Sequence, residues 1–197
     1  MEELYKKMIE YCKERIGSDP VSGLDHVQRV IRWCEVIGVK ENANLEVLRA
    51  SAILHDIAVP QGRAIHAETG AEMAHEFLQS IGVPEEKIKA ITEVIRGHSR
   101  YGGPEPTTLE GYILRDADML DFIGAVGIVR AILRDFQAEK YHGDPDAVPE
   151  MIQSLKDRVE DKFYTKIARK TAKTHFKFMD QFIEKLRNEL IQESIVD

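Results

Sequence analysis

His26, His55, Asp56, His66, His98 and Asp118 are the residues with which this sequence could do chemistry. Imidazole nitrogens and carboxylate oxygens form the mixed donor set that divalent transition metals prefer. His55 and Asp56 stand side by side at the end of an apolar run, Ser51-Ala52-Ile53-Leu54, with Pro60 and Gly62 close behind. Neighbours at a helix end can converge on one ion, and the partial negative charge of a helix C-terminus favours a cation there. His26 lies in the first turn of an expected helix. His98 continues the face carrying Ile88, Ile91, Val94 and Ile95, and Asp118 lies on the stripe carrying Ile113, Leu114, Ala117, Phe122 and Ala125. Taken singly, each has a commoner explanation in a hydrogen-bonded core histidine, a salt bridge or a helix cap. Desolvating a carboxylate is expensive, so a buried Asp needs a partner of some kind. Taken together, two His and two Asp spread over three helices, with two further His in reserve, supply a ligand set for a divalent ion.

The elements that must position these groups are all helical. Apolar residues at steps of three and four predict helices over residues 2–16, 24–37, 44–57 and 66–80, and another after Pro84 that ends near His98. Gly38 is the expected stop of the second. In the fourth, Ala67, Gly70, Ala71 and Ala74 make a stripe of small residues that lets another helix pack closely. Residues 101–106 read as a Gly- and Pro-rich rim loop, and residues 109–136 as one or two helical segments. Residues 141–149 read as an exposed loop. Residues 150–194 read as helical, with Phe163, Ile167, Phe178, Phe182, Leu186 and Leu190 as the core face. His175 falls on that apolar stripe as a structural residue, while His75 and His142 read as surface residues. No strand alternation, internal repeat or low-complexity segment is visible.

Composition narrows the function classes. A chain of 197 residues with 43% hydrophobic and 31% charged residues suits one soluble helical core. Lys and Arg total 27 against 34 Asp and Glu, a formal charge of −7, which opposes binding to extended nucleic acid. A small anionic substrate held through a local metal remains compatible with that charge. Cys12 and Cys34 form no disulfide framework and fit no zinc-knuckle spacing, so buried core thiols are expected. With no signal peptide and no apolar run of membrane-spanning length, a cytoplasmic protein is the expectation.

The order His26, His55-Asp56, Asp118 resembles the H…HD…D signature of the HD-domain metal-dependent phosphohydrolases. The flanking segments are similar too: Leu24-Asp25-His26-Val27, Ile53-Leu54-His55-Asp56-Ile57, His66-Ala67-Glu68-Thr69-Gly70-Ala71, and the run from Asp116 to Ala125. That last run and residues 165–182 look most like the small single-domain branch of YpgQ- and YedJ-like proteins. The resemblance covers nearly the whole chain. It implies an all-α HD-domain helical bundle, one domain over residues 1–197, with a metal-binding core at about 24–125 and a C-terminal helical region at about 150–195.

The same resemblance implies one metal held by His26, His55, Asp56 and Asp118, with Asp56 also part of the catalytic machinery. It implies phosphate contact or general acid work for His66 and His98, in preference to a second metal. Asp121, three residues past Asp118, would orient a ligand or the attacking water. Arg29, Lys156 and Lys162 are candidate phosphate contacts, and Arg96, Arg100 and Arg115 are weaker ones. Mn²⁺ suits a His and carboxylate shell better than Mg²⁺, with Fe²⁺, Co²⁺, Ni²⁺ and Zn²⁺ as further alternatives. The expected reaction is hydrolysis of a (deoxy)nucleoside triphosphate to monophosphate and pyrophosphate, by a monomer or homodimer. The competing expectations are a 5′-nucleotidase or cyclic phosphodiesterase of the same fold and a non-catalytic nucleotide- or metal-binding module. A two-iron oxygenase would need His66 and His98 as ligands.

Overall fold

A computed structural model describes residues 2–100 and 103–191, and every described element is helical. The expected rim loop therefore lies partly outside the described residues, at Tyr101 and Gly102, as does the expected helix end at Ser194. The chain forms two compact units, Met1–Asp118 and Met119–Asp197.

The first unit is built around α3. Helix α1 (Glu2–Ile16) begins with Glu2 and Glu3 and ends with Lys13 and Arg15, charges that complement its dipole, and buries Met8, Cys12 and Ile16. The turn before α2 (Leu24–Glu41) is tied by Asp19, whose Oδ1 accepts the amides of Val21 (2.8 Å) and Ser22 (2.6 Å). That turn sets His26 into the first turn of α2. Gly38 does not stop this helix, contrary to expectation; it runs on to Glu41 and closes on Asn42 in the left-handed region (φ 57°). Gly38 is instead a packing residue, because a Cβ there would lie 2.7 Å from Leu48 Cδ2 and 2.8 Å from Leu45 Cδ2.

Helix α3 (Leu45–Leu54) starts at Asn44, whose side chain accepts the amides of Glu46 and Val47. Val47, Leu48 and every residue from Ala50 to Leu54 are buried, which fits a helix packed against α1, α2 and the later α5. It is shorter than the expected 44–57, because turns take over from His55. A short 3₁₀ turn (Val59–Gln61) and a loop lead to α4 (His66–Ser80), whose small residues Ala67, Gly70, Ala71 and Ala74 are buried as expected. A Cβ at Gly70 would lie 3.5 Å from the His55 carbonyl oxygen, so α4 passes directly beside the His55-Asp56 turn. Helix α5 (Glu85–His98) packs on α3 and α4, and Ser51 Oγ donates to the Ile91 carbonyl at 3.2 Å. Helix α6 (Leu109–Leu120) carries Asp118 near its end.

In the second unit, α7 (Gly124–Gln137), α8 (Val148–Val159) and α9 (Lys166–Leu190) pack on one another. Gly124 opens α7 at φ +72°, and a Cβ there would meet the half-buried His175 ring at 3.0 Å. Two expectations fail here. Val148 and Pro149 belong to α8 and are buried, so the loop ends earlier than residue 149. The long C-terminal helix is broken between α8 and α9, where Asp161 takes φ 62° and Thr165 caps the new helix by accepting the Ala168 amide at 3.1 Å. The break resets the helical phase. The buried stripe of α9 is Ala168, Ala172, Phe176, Met179 and Ile183, while Phe178 is 44% exposed. Close helix contact selects the small alanines, which a reading weighted to large aromatics passes over.

Candidate metal centre

All six residues singled out for metal chemistry belong to the first unit, and all but Asp118 are buried. They come from five helix ends or turns: His26 from the start of α2, His55 and Asp56 from the turn after α3, His66 from the start of α4, His98 from the end of α5, and Asp118 from the end of α6. His26 Nε2 lies 3.3 Å from His55 Nε2, 3.3 Å from Asp118 Oδ1 and 3.5 Å from Asp56 Oδ2, and His55 Nε2 lies 3.6 Å from Asp56 Oδ2. Two donors each about 2.1 Å from one ion stand about 3 Å apart when adjacent in its shell, so these spacings suit a shared cation. His26, His55 and Asp118 each offer a donor atom within 4.8 Å of the others, as do His55, Asp56 and His98.

Asp56 faces two ways. Its Oδ2 turns to His26 and His55, while its Oδ1 lies 3.5 Å from both His66 Nε2 and His98 Nε2. His66 Nε2 and His98 Nε2 are themselves 3.1 Å apart.

The backbone sets the state of three of these rings. His55 Nδ1 lies 2.9 Å from the Ala52 carbonyl, His66 Nδ1 2.7 Å from that of Arg63, and His98 Nδ1 2.5 Å from that of Ile95. A carbonyl can only accept, so each Nδ1 carries the hydrogen and each Nε2 lone pair is aimed inward. This is how ligating histidines are ordinarily oriented. It also makes the His66–His98 pair unfavourable without positive charge, since two basic nitrogens at 3.1 Å repel unless a proton or metal ion lies between them.

The electrostatics of the protein's own groups agree with a cation site. Burial pushes His55 down to about 4, against the charge of Asp56 and with help from His98 and His26, so it is neutral at ordinary pH. Burial alone would raise Asp56, but the charge of His55 and hydrogen bonds from His26 and His98 hold it well below the usual carboxylate range. Asp118 is lowered in the same way, burial being outweighed by its hydrogen bond with His26. His66 is lowered, by burial and then by His98. His98 is raised: burial opposes its charge, but the hydrogen bond and charge of Asp56 prevail. The cysteines do not compete as ligands. Burial, then the charge of Asp56, pushes Cys12 up to about 12, and Cys34 is raised by burial and Asp118.

Residues 23–123 match the family model of the HD domain. The chain belongs to the HD domain family. Within it, the chain is 32% identical to YpgQ of Bacillus subtilis (strain 168) over 201 residues, 96% of each chain. A crystal structure of YpgQ in complex with ADP superposes with a TM-score of 0.77 at 25% identity, covering 94% of this chain and 97% of that one. A predicted HD superfamily hydrolase from an uncultured Thermotogales bacterium superposes at 0.68 with 30% identity, covering 94% and 92%. An HD-superfamily hydrolase from Bacillus thuringiensis superposes at 0.70 with 26% identity, covering 96% and 97%. The resemblance read from the HD segments is thus the family, and the all-α expectation is the fold.

The remaining sequence candidates occupy varied settings. Asp121 is buried and gripped by Arg130, whose Nη1 donates to its Oδ2 (2.8 Å) and to its backbone carbonyl (2.9 Å). Lys156 is ion-paired with Asp180, and Lys162 is exposed. Arg29 is half-buried one turn beyond His26. Arg96 pairs with Glu68 at 2.9 Å, and the buried Arg115 with Glu105 at 3.1 Å. Sequence reasoning missed the carbonyls of Ala52, Arg63 and Ile95. Their signal was available, since each precedes its histidine by three residues at a helix end or turn.

Proposed function

We propose that this protein is a divalent-metal-dependent phosphohydrolase that cleaves a (deoxy)nucleoside triphosphate to the monophosphate and pyrophosphate. The observation that supports it is that His26 Nε2 lies within 3.5 Å of donor atoms of His55, Asp56 and Asp118, in a chain of the HD domain family. The nucleotide class is supported by YpgQ, which was crystallised with ADP.

The donor set fits a borderline divalent ion such as Mn²⁺, with nitrogen and oxygen ligands and no thiolate. When bound, such an ion polarises a phosphoryl oxygen and lowers the pKa of water to give a nucleophile near neutral pH. The protein's own groups do the rest by position and charge. Asp56 and Asp118 stay ionised, and His55 stays neutral with its lone pair inward. His98 Nε2 stands beside Asp56 Oδ1, which raises its pKa against burial, and 3.1 Å from His66 Nε2, so a proton taken up by the pair sits mainly on His98. That proton is available to a phosphate oxygen as negative charge grows on the leaving pyrophosphate. A nucleotide panel with Mn²⁺, scoring pyrophosphate separately from phosphate, tests the reaction. Pyrophosphate release is expected. Phosphate alone would favour a nucleotidase, and no turnover with any nucleotide or cyclic phosphate would leave a binding module.

A second reading rests on the 3.1 Å apposition of His66 and His98 at the other oxygen of Asp56. A second ion could take the place of the shared proton. Metal analysis separates the two. We expect one Mn²⁺ per chain, retained in His98→Ala; two per chain, falling to one in that variant, would establish the dinuclear site.

A further inference from the structure

A cavity of about 300 Å³ opens in the first unit between the end of α1, the turn before α2 and the loop before α4. Ile16, Asp19, Ser22, Val59, Pro60 and Arg63 line it. Its size is at the lower end of small-molecule sites. All but Ile16 lie within seven residues of a metal-capable residue: Asp19 and Ser22 before His26, Val59 and Pro60 after Asp56, and Arg63 before His66. Three residues of extended chain span at most roughly 11 Å, so Arg63 and His66 are neighbours. The Arg63 carbonyl bonds directly to His66 Nδ1 at 2.7 Å.

The lining has a distinct chemistry. Ile16, Val59 and Pro60 provide apolar walls. Arg63 Nη2 donates to the buried Ser22 Oγ at 3.1 Å, clamping the α4 loop to the turn before α2. Asp19 contributes a carboxylate, whose Oδ1 is fixed by the amides of Val21 and Ser22. With Arg63 and Asp19 in one lining the charges balance, so the cavity offers a polyphosphate no net attraction. A flat heteroaromatic ring with donors and acceptors on its edge suits apolar walls and a polar rim.

We propose that this cavity receives the nucleoside end of the substrate, base first, while its phosphates reach the His26, His55, Asp56 and Asp118 cluster. The proposal rests on the nucleotide reading above and adds the place where the base is recognised. Arg63 then has two tasks: its guanidinium borders the nucleoside and its carbonyl orients His66.

The test is calorimetric binding of ADP and of inorganic pyrophosphate to the full chain with Mn²⁺. Val59→Trp, which fills the cavity from the half-buried 3₁₀ turn, should raise the Kd for ADP by at least about tenfold and leave that for pyrophosphate within about twofold. Pro60→Trp, at an exposed position of the same turn, is the second variant should Val59→Trp fail to fold, with the same pattern expected. Equal weakening of ADP and pyrophosphate would put phosphates in the cavity and overturn the proposal. Unchanged ADP binding in both variants would overturn it too, and would spare the functional reading as long as the unaltered protein still turns nucleotides over. An unaltered protein that neither binds ADP nor hydrolyses nucleotides would defeat both.

Discussion

Asp56→Ala should lower metal-dependent kcat/KM by at least about 10³-fold, corresponding to about 4 kcal/mol of barrier. The size follows from the position of this one carboxylate. Its Oδ2 faces His26 and His55 and its Oδ1 faces His66 and His98, so its removal takes charge from both halves of the cluster. His55→Ala should have a similar effect, because His55 is fully buried with its lone pair aimed inward. Metal content measured alongside turnover should fall in both variants, with the helical circular dichroism unchanged. Asp56→Asn, which keeps the shape and removes the charge, should remain far closer to Asp56→Ala than to the unaltered protein. Full turnover in either alanine variant, with metal still bound, would sink the assignment of the centre.

The second large effect concerns stability. Arg130 and Asp121 are 3% and 2% exposed, and the guanidinium that grips Asp121 also lies 4.2 Å from the centre of the Phe122 ring. Removing one partner of a buried pair leaves the other charge desolvated, which costs about 3–5 kcal/mol. Arg130→Ala should therefore lower the unfolding free energy by that amount in urea titrations followed by circular dichroism. Removing both charges, as Arg130→Met with Asp121→Leu, should recover much of the loss, since no unpaired charge stays behind. A cost below about 1 kcal/mol for Arg130→Ala would show that water reaches Asp121 and that the pair is not the anchor of this turn.

Much of the centre was legible before any coordinates, for a physical reason. Imidazoles and carboxylates on otherwise apolar helix faces are costly unless something compensates them, so His26, His98 and Asp118 stand out against Val27, Ile95 and Ala117. The small-residue stripe of α4 was legible in the same way, because Ala67, Gly70, Ala71 and Ala74 repeat at helical spacing. What failed were features that depend on contact across elements. Gly38 reads as a stop by type, yet Leu45 and Leu48 of α3 make it a packing residue within α2. The break before α9 shifted which residues face inward, and Phe178, large and apolar, came out exposed. No periodicity within one helix reports how a helix is rotated against its neighbours.

By itself, then, the sequence determined the class of the protein: an all-helical chain with the His26, His55-Asp56 and Asp118 pattern of the HD domain. Those facts lie in residue types and local spacing, which hydrophobic burial and helix geometry read directly. Only the tertiary structure decided how the donors meet. It divided the two oxygens of Asp56 between two pairs of histidines, placed carbonyls behind three rings to aim their lone pairs inward, gave Asp121 to Arg130, and enclosed a cavity beside Arg63. Each of these joins atoms from segments distant in sequence or depends on the course of the backbone.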